Sequence, residues 1–215
     1  MAMKIVMAAA LALTAGLAGC KFVKTDGADA TRPIAADESG DDARIAALIG
    51  KTYEAELIPL VTSKAVDFAT LKTAITAGLD AAGKQYGHRG AGDGGPWSFA
   101  IKGSGKAVAA DRQSRAAHVD LDMDGDGKAD VVIQLGPVVK GSALRDLAPF
   151  YDFSDFRDQI EFAKLGRALN DTAVKGLKVP DGDLVGKTVT FLGAASVSSA
   201  STAPAIVPTT IEIAP

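Results

Sequence analysis

The chain has 215 residues, enough for one domain or one domain with helical additions, and 47% of them are apolar against 23% charged, an ordinary globular balance. A formal charge of -3, with no basic stripe interleaved with aromatics, excludes an electrostatic case for nucleic acid as a partner. With 23 glycines and 6% aromatics, the core has to be built from Val, Ile, Leu and Ala between many turns.

Residues 1–19 read as a signal peptide. Lys4 precedes an uncharged run from Ile5 to Gly19, the charged start and apolar centre of an export signal. The run is too short for a transmembrane helix, which needs about 20 residues. It ends in Leu17-Ala18-Gly19-Cys20, which looks like a bacterial lipobox, where the cysteine sulfur is acylated and the signal is cut just before it. A plain signal peptide with a chance cysteine is the alternative. Cys20 is the lone cysteine, so an intrachain disulfide and a Cys-rich zinc site are both excluded. Residues 20–40 are small and polar, with Gly27 and Pro33, and read as a lipid-anchored tether.

A single globular domain is expected over 41–215, with a helical part at 41–86 and a β-barrel part at 97–215. The first helix spans about Asp41 to Val61, capped by Asp41 or Asp42, with Ile45, Leu48, Ile49, Tyr53, Leu57 and Leu60 at helical spacing. Gly50 and Pro59 weaken it. A second runs from about Asp67 to Tyr86, with Phe68, Leu71, Ile75 and Leu79 on one face. Two amphipathic stripes need a partner, and the β-rich remainder supplies one. Residues 87–96 are too glycine-rich for regular structure. They read as a binding loop in which His88 and Arg89 meet an anionic group, or as a plain helix-to-strand connection.

Short strands follow at Trp97–Lys102, Lys106–Arg112, Arg115–Leu121 and Asp130–Val139, the first two joined by a tight turn at Gly103-Ser104-Gly105. A helix over Ser154–Gly176 starts on Ser154-Asp155 and ends at Lys175-Gly176. Strands at Thr188–Val197 and Ile206–Ile213 close the chain. The fold class is α+β: an OB-like antiparallel barrel with one helix between its third and fourth strands, plus two N-terminal amphipathic helices.

Between the strands, Asp122-Met123-Asp124-Gly125-Asp126-Gly127-Lys128-Ala129-Asp130 follows the D-x-D-x-D-G pattern of calcium loops. Asp122, Asp124 and Asp126 would be side-chain ligands and Lys128 a carbonyl ligand, with Asp130 direct or through water. Strand flanks and Ile133 at the twelfth position exclude a helix-loop-helix calcium hand. Asp-Gly pairs between strands also make plain hairpin turns; against that, four carboxylates in nine residues repel without a cation. Calcium is the one cofactor expected, and no organic cofactor is. His88 and His118 are the two histidines, with no Ser/His/Asp arrangement beside them, so no catalytic residues are assigned. Arg145-Asp146 reads as an internal ion pair or a ligand contact. Phe150, Tyr151, Phe153, Phe156 and Phe162 read as packing for the helix, or as an aromatic platform for sugar.

The chain resembles the bacterial lipoprotein family called domain of unknown function 2291. Carrying the resemblance are Y-G-H-R at 86–89, P-W-S-F at 96–99 and D-G-D-G-K-A-D at 124–130, then Q-L-G-P-V-V-K-G-S-A-L-R-D at 134–146, Q-I-E-F-A at 159–163 and A-L-N at 168–170. The family more often has Arg and Thr where this chain has Lys140 and Ser142, and Asn in place of Asp158. A lysine at 140 weakens any bidentate anion contact. The resemblance implies an exported lipoprotein on the periplasmic face, often encoded beside sugar-type ABC transporter components, and no catalytic residues. The expected function is therefore a non-enzymatic accessory or binding lipoprotein of sugar-type uptake. The alternatives are a cell-envelope enzyme acting on a saccharide and a purely structural envelope protein.

Overall fold

The structure is a computed structural model that describes residues 33–90, 92 and 94–214. The signal peptide, Cys20 and the tether up to residue 32 lie outside the described residues.

Helix α1, Asp41–Thr52, continues through a π-helical turn at Tyr53–Leu57 into α2, Ile58–Lys64. The turn has a cause in Pro59, which has no N–H and would clash with the carbonyl one α-turn back; widening the helix just before it removes that conflict. The cap differs from expectation, since Gly40 is the N-cap and Asp41 is a buried first-turn residue. After β1, Val66–Asp67, the second predicted helix is two: α3, Phe68–Ala77, and α4, Leu79–Tyr86. Asp67 caps α3 by accepting from the Ala69 N–H. Strand β2 is the pair Gly87–His88.

Glycines 103 and 105 do not turn the chain. β3 runs unbroken from Trp97 to Asp111. It pairs with β6, Thr188–Val197, along Trp97–Lys106 and with β4, Ala116–Asp122, along Lys106–Asp111. The glycines are there for close approach: a Cβ at Gly103 would lie 2.6 Å from Met123 Cε, and one at Gly105 2.5 Å from Met123 Sδ and 2.6 Å from the Asp122 carbonyl. They let the strand bend under Met123 where it changes partners.

With those two runs merged, five strands close the barrel. The order is β3–β4–β5–β7–β6 and back to β3, where β5 is Val131–Pro137 and β7 is Ala205–Ile213. Within these five strands every pairing is antiparallel except β5–β7, which is parallel because helices carry the chain across between β5 and β6. Those helices are α5, Ala143–Leu147, and α6, Gln159–Lys175. α6 starts later than Ser154: a 3-10 turn occupies Phe153–Asp155, and Asp158 is the cap, its Oδ1 accepting from the N–H groups of Ile160 and Glu161.

Alternation along β3 divides the interior into two cores. Phe99 and Ile101 point into the barrel with Val119, Leu121, Ile133, Phe191 and Ile206, and α3 closes that core with Phe68 and Leu71. Ala100, between them, faces the other way, toward Leu57 and Val61 of the first helices, Leu144 of α5 and Leu165 and Leu169 of α6. The outer helices and the barrel thus bury a common apolar face.

Candidate functional site

In the aspartate loop the strand ends hold the backbone in a wrap, and positive φ at Gly125 and Gly127 makes the wrap possible without strain. Asp122 ends β4 and is buried. Its Oδ1 accepts from the N–H groups of Asp124 and Gly125 and its Oδ2 from Gly127. The Gly127 and Gly125 N–H groups hold its carboxyl below the ordinary range. Asp130 Oδ2 accepts from the Met123 N–H at 2.8 Å. Asp122, Asp124 and Asp130 each bring an oxygen within 4.8 Å of the others. Asp126 is outside that group, turned onto Lys128, whose backbone N–H lowers its pKa first and whose ammonium lies 3.2 Å away. A cation that the sequence did not reveal comes from α3: Lys72 Nζ lies 2.6 Å from Asp130 Oδ1 and 3.2 Å from Asp124 Oδ2. Those hydrogen bonds, Asp130 first, raise its pKa.

His88, Arg145 and Asp146 are brought together, and Arg89 is not. The Asp146 carboxylate, 5% exposed, accepts from Arg145 Nε at 2.8 Å on one oxygen and from the Ser142 hydroxyl at 2.6 Å on the other. Arg145 also stacks 3.8 Å from the centre of the Phe162 ring and donates to the Phe162 carbonyl. His88 Nδ1 sits 2.7 Å from the Asp146 carbonyl oxygen. Beside it Gly90 has no room for a side chain, since a Cβ would lie 2.6 Å from Asp146 Cα. Ser142 and Arg145 engage both oxygens of the Asp146 carboxylate, and Arg145 latches the segment after β5 to α6. Arg89 stacks on Trp97 at 4.1 Å and pairs with Asp80, whose pKa the Trp97 and Arg89 bonds lower.

A second charged cluster, absent from the sequence reading, joins α1 to α6. Asp41 has no exposed surface, yet takes Arg44 at 2.6 Å, Lys164 at 3.0 Å and Arg157 at 3.2 Å. Glu161, also buried, accepts from Arg44 on Oε1 and from the Arg157 N–H on Oε2. Hydrogen bonding to Asp41 is the main reason the Lys164 pKa rises. Over this cluster opens a cleft of about 410 Å³ lined by Ala36, Arg44, Ile45 and Leu48 from early in the chain and by Phe150, Asp155, Phe156, Arg157 and Glu161 from later in it. A second hollow of about 190 Å³ lies between α3 and the loop 199–204. The lining of the larger cleft comes from two stretches more than a hundred residues apart, so only the aromatic run 150–162 could have signalled it.

The fold is shared with an OB-fold protein from Thermotoga maritima. That crystal structure is 14% identical over 81% of this chain and 96% of its own, with a TM-score of 0.54. No curated protein matches the chain. The family described as predicted periplasmic lipoprotein (DUF2291) matches residues 10–212. This chain, a lipid-anchored protein of the periplasmic face, belongs to that family.

Proposed function

We propose that the protein is a non-enzymatic binding module of sugar-type ABC solute uptake, and that it holds a small saccharide in the cleft between α1 and the start of α6. The observation that carries this reading is the cleft's lining. Its volume of about 410 Å³ lies in the range of small-molecule sites, and the 190 Å³ hollow falls below it. Phe150 and Phe156 offer apolar surface for the C–H side of a sugar ring, and the exposed Asp155 carboxylate offers a partner for hydroxyls, while the Arg44 and Arg157 guanidinium groups are engaged by Asp41, Glu161 and Asp158.

Hydrolysis is disfavoured by the same geometry. A glycosidase needs two carboxyl groups free to face one bond, whereas Glu161 has both oxygens engaged and leaves Asp155 alone. The test is a thermal melt with neutral and acidic mono- and disaccharides. A ligand at a hundred times its Kd adds about 2.7 kcal/mol, or roughly 5–10 °C for a body of this size. Phe156→Ala is expected to lose most of that shift. A panel in which no sugar moves the melt defeats the reading, and release of reducing sugar would favour the enzyme instead.

The aspartate loop has a structural part in this scheme, with Lys72 as its resident cation and calcium as the substitute. Removing Lys72 leaves Asp124 and Asp130 unneutralised. Lys72→Met is expected to cost about 1 kcal/mol or less, since the pair is half-exposed, and millimolar calcium should restore the loss. Extracellular calcium modules bind at about 10⁻⁴–10⁻³ M. A variant melt indifferent to calcium would leave the loop an acidic hairpin.

A further inference from the structure

Among the described residues five large apolar side chains are exposed: Ile34, Val138, Phe153, Ile160 and Val185. Three of them border the cleft through chain neighbours or a ring contact. Phe153 rests on the edge of Phe162 with ring centres 5.5 Å apart, and Phe162 also packs on Phe156 of the cleft. Ile160, 64% exposed, stands in the first turn of α6 beside Glu161. Ile34 precedes Ala35, whose carbonyl accepts from Arg44 of the same cleft. We propose that this face, with Ile34, Phe153 and Ile160 as its contacts, rests on the phospholipid surface to which the chain is anchored.

The tether leaves the body beside this face. Twelve residues lie between Cys20 and Pro33, so the two positions are at most about 45 Å apart. A body of this size is about 40 Å across. The anchor point is therefore no farther than about one body width from the segment 33–37, which Arg44 holds by the Ala35 and Asp37 carbonyls. The exposed apolar residues around that exit are the ones presented to the bilayer.

Charge attraction does not drive the contact. Arg44, Arg157 and Lys164 are paired with Asp41 and Glu161, and Asp152 and Asp155 add exposed negative charge. The apolar side chains enter the headgroup layer, as in an interfacial helix. The inference rests on the anchor at Cys20 and is independent of any sugar in the cleft.

The experiment uses the acylated full chain in vesicles of phosphatidylethanolamine and phosphatidylglycerol with brominated acyl chains. With the Cys20 thiol acylated, Phe153→Cys, Ile160→Cys, Val138→Cys and Val185→Cys each supply one free thiol for an environment-sensitive dye. Val138 follows Gly136, which packs on Val174 at the far end of α6. Val185 lies in the loop before β6, where Gly186 bonds to Ala107. The dye is expected to shift to the blue and be quenched at 153 and 160, and to do neither at 138 and 185. The pattern should persist in about 1 M salt, where screening falls to ~3 Å, and without phosphatidylglycerol. Equal signals at all four positions, or none, overturn the proposal. A signal at 153 and 160 in native membranes alone assigns the face to a membrane protein and also overturns it. Co-sedimentation reads the anchor separately, and a chain that does not stay on the vesicles refutes the premise. Phe156→Ala should lose sugar binding and keep the quenching, which separates this result from the cleft's.

Discussion

Replacing Gly193 with alanine is expected to lower the melting temperature by roughly 6–12 °C, or to prevent the barrel from closing. Gly193 lies on β6 where the pairing with β7 slips by a residue, opposite Pro208. A Cβ there would lie 2.3 Å from the Val207 carbonyl oxygen and 2.8 Å from Pro208 Cα. Both are backbone atoms of the neighbouring strand, so no rotamer change can make room. Overpacking of a core costs about 1–3 kcal/mol, and a backbone obstacle belongs at or above the top of that range. Gly50 is the control, because a Cβ there meets nothing within 4 Å. It lies inside α1, so Gly50→Ala should gain about 0.5–1 kcal/mol. Melts that move the two variants in the same direction would refute the close-approach argument.

Asp41→Asn carries the second large effect. The carboxylate is fully buried between three cations, and removing one partner of a buried ion pair typically costs about 3–5 kcal/mol. Arg44, Arg157 and Lys164 are each about a third exposed, at 28%, 31% and 31%, so water shares in their solvation. About 3 kcal/mol, the lower end, is the expected loss in urea unfolding. Lys164→Met in the Asp41→Asn background should then cost less than it does alone, because the ammonium has lost its partner. Strict additivity in that cycle would mean that Asp41 and Lys164 do not act as a unit.

Local patterns were legible where local physics decides. Thr188–Val197 has the bounds its alternation gives it, and Asp67 caps α3 as its position predicts. Gly103 and Gly105 misled for an identifiable reason: glycine signals turns and close packing alike, and Met123, the residue that requires the space, comes eighteen residues after Gly105. Ser154 looked like a cap because Ser-Asp usually starts a helix; the chain makes one 3-10 turn there and uses Asp158. The aspartate spacing brought three carboxylates into view but not Lys72, whose role depends on how α3 lies across the barrel. Nor could pattern join Asp41 to Lys164, because Asp41 reads as a helix cap and Lys164 carries no signal of its own.

β3 sets the order in which this protein can become itself. It is bonded along both edges, and its N-terminal half pairs with a strand a hundred residues later, Trp97 with Val197. Such distant pairings raise contact order and slow folding. Until the last strands arrive, the longest strand of the barrel presents an open edge that could pair with another chain. The segment bearing Cys20 leads the molecule and the barrel's closing strand ends only at Ile213. With the lipid on Cys20, as proposed, attachment to the membrane would precede completion of the fold, and a chain truncated before β7 would be anchored with its barrel open.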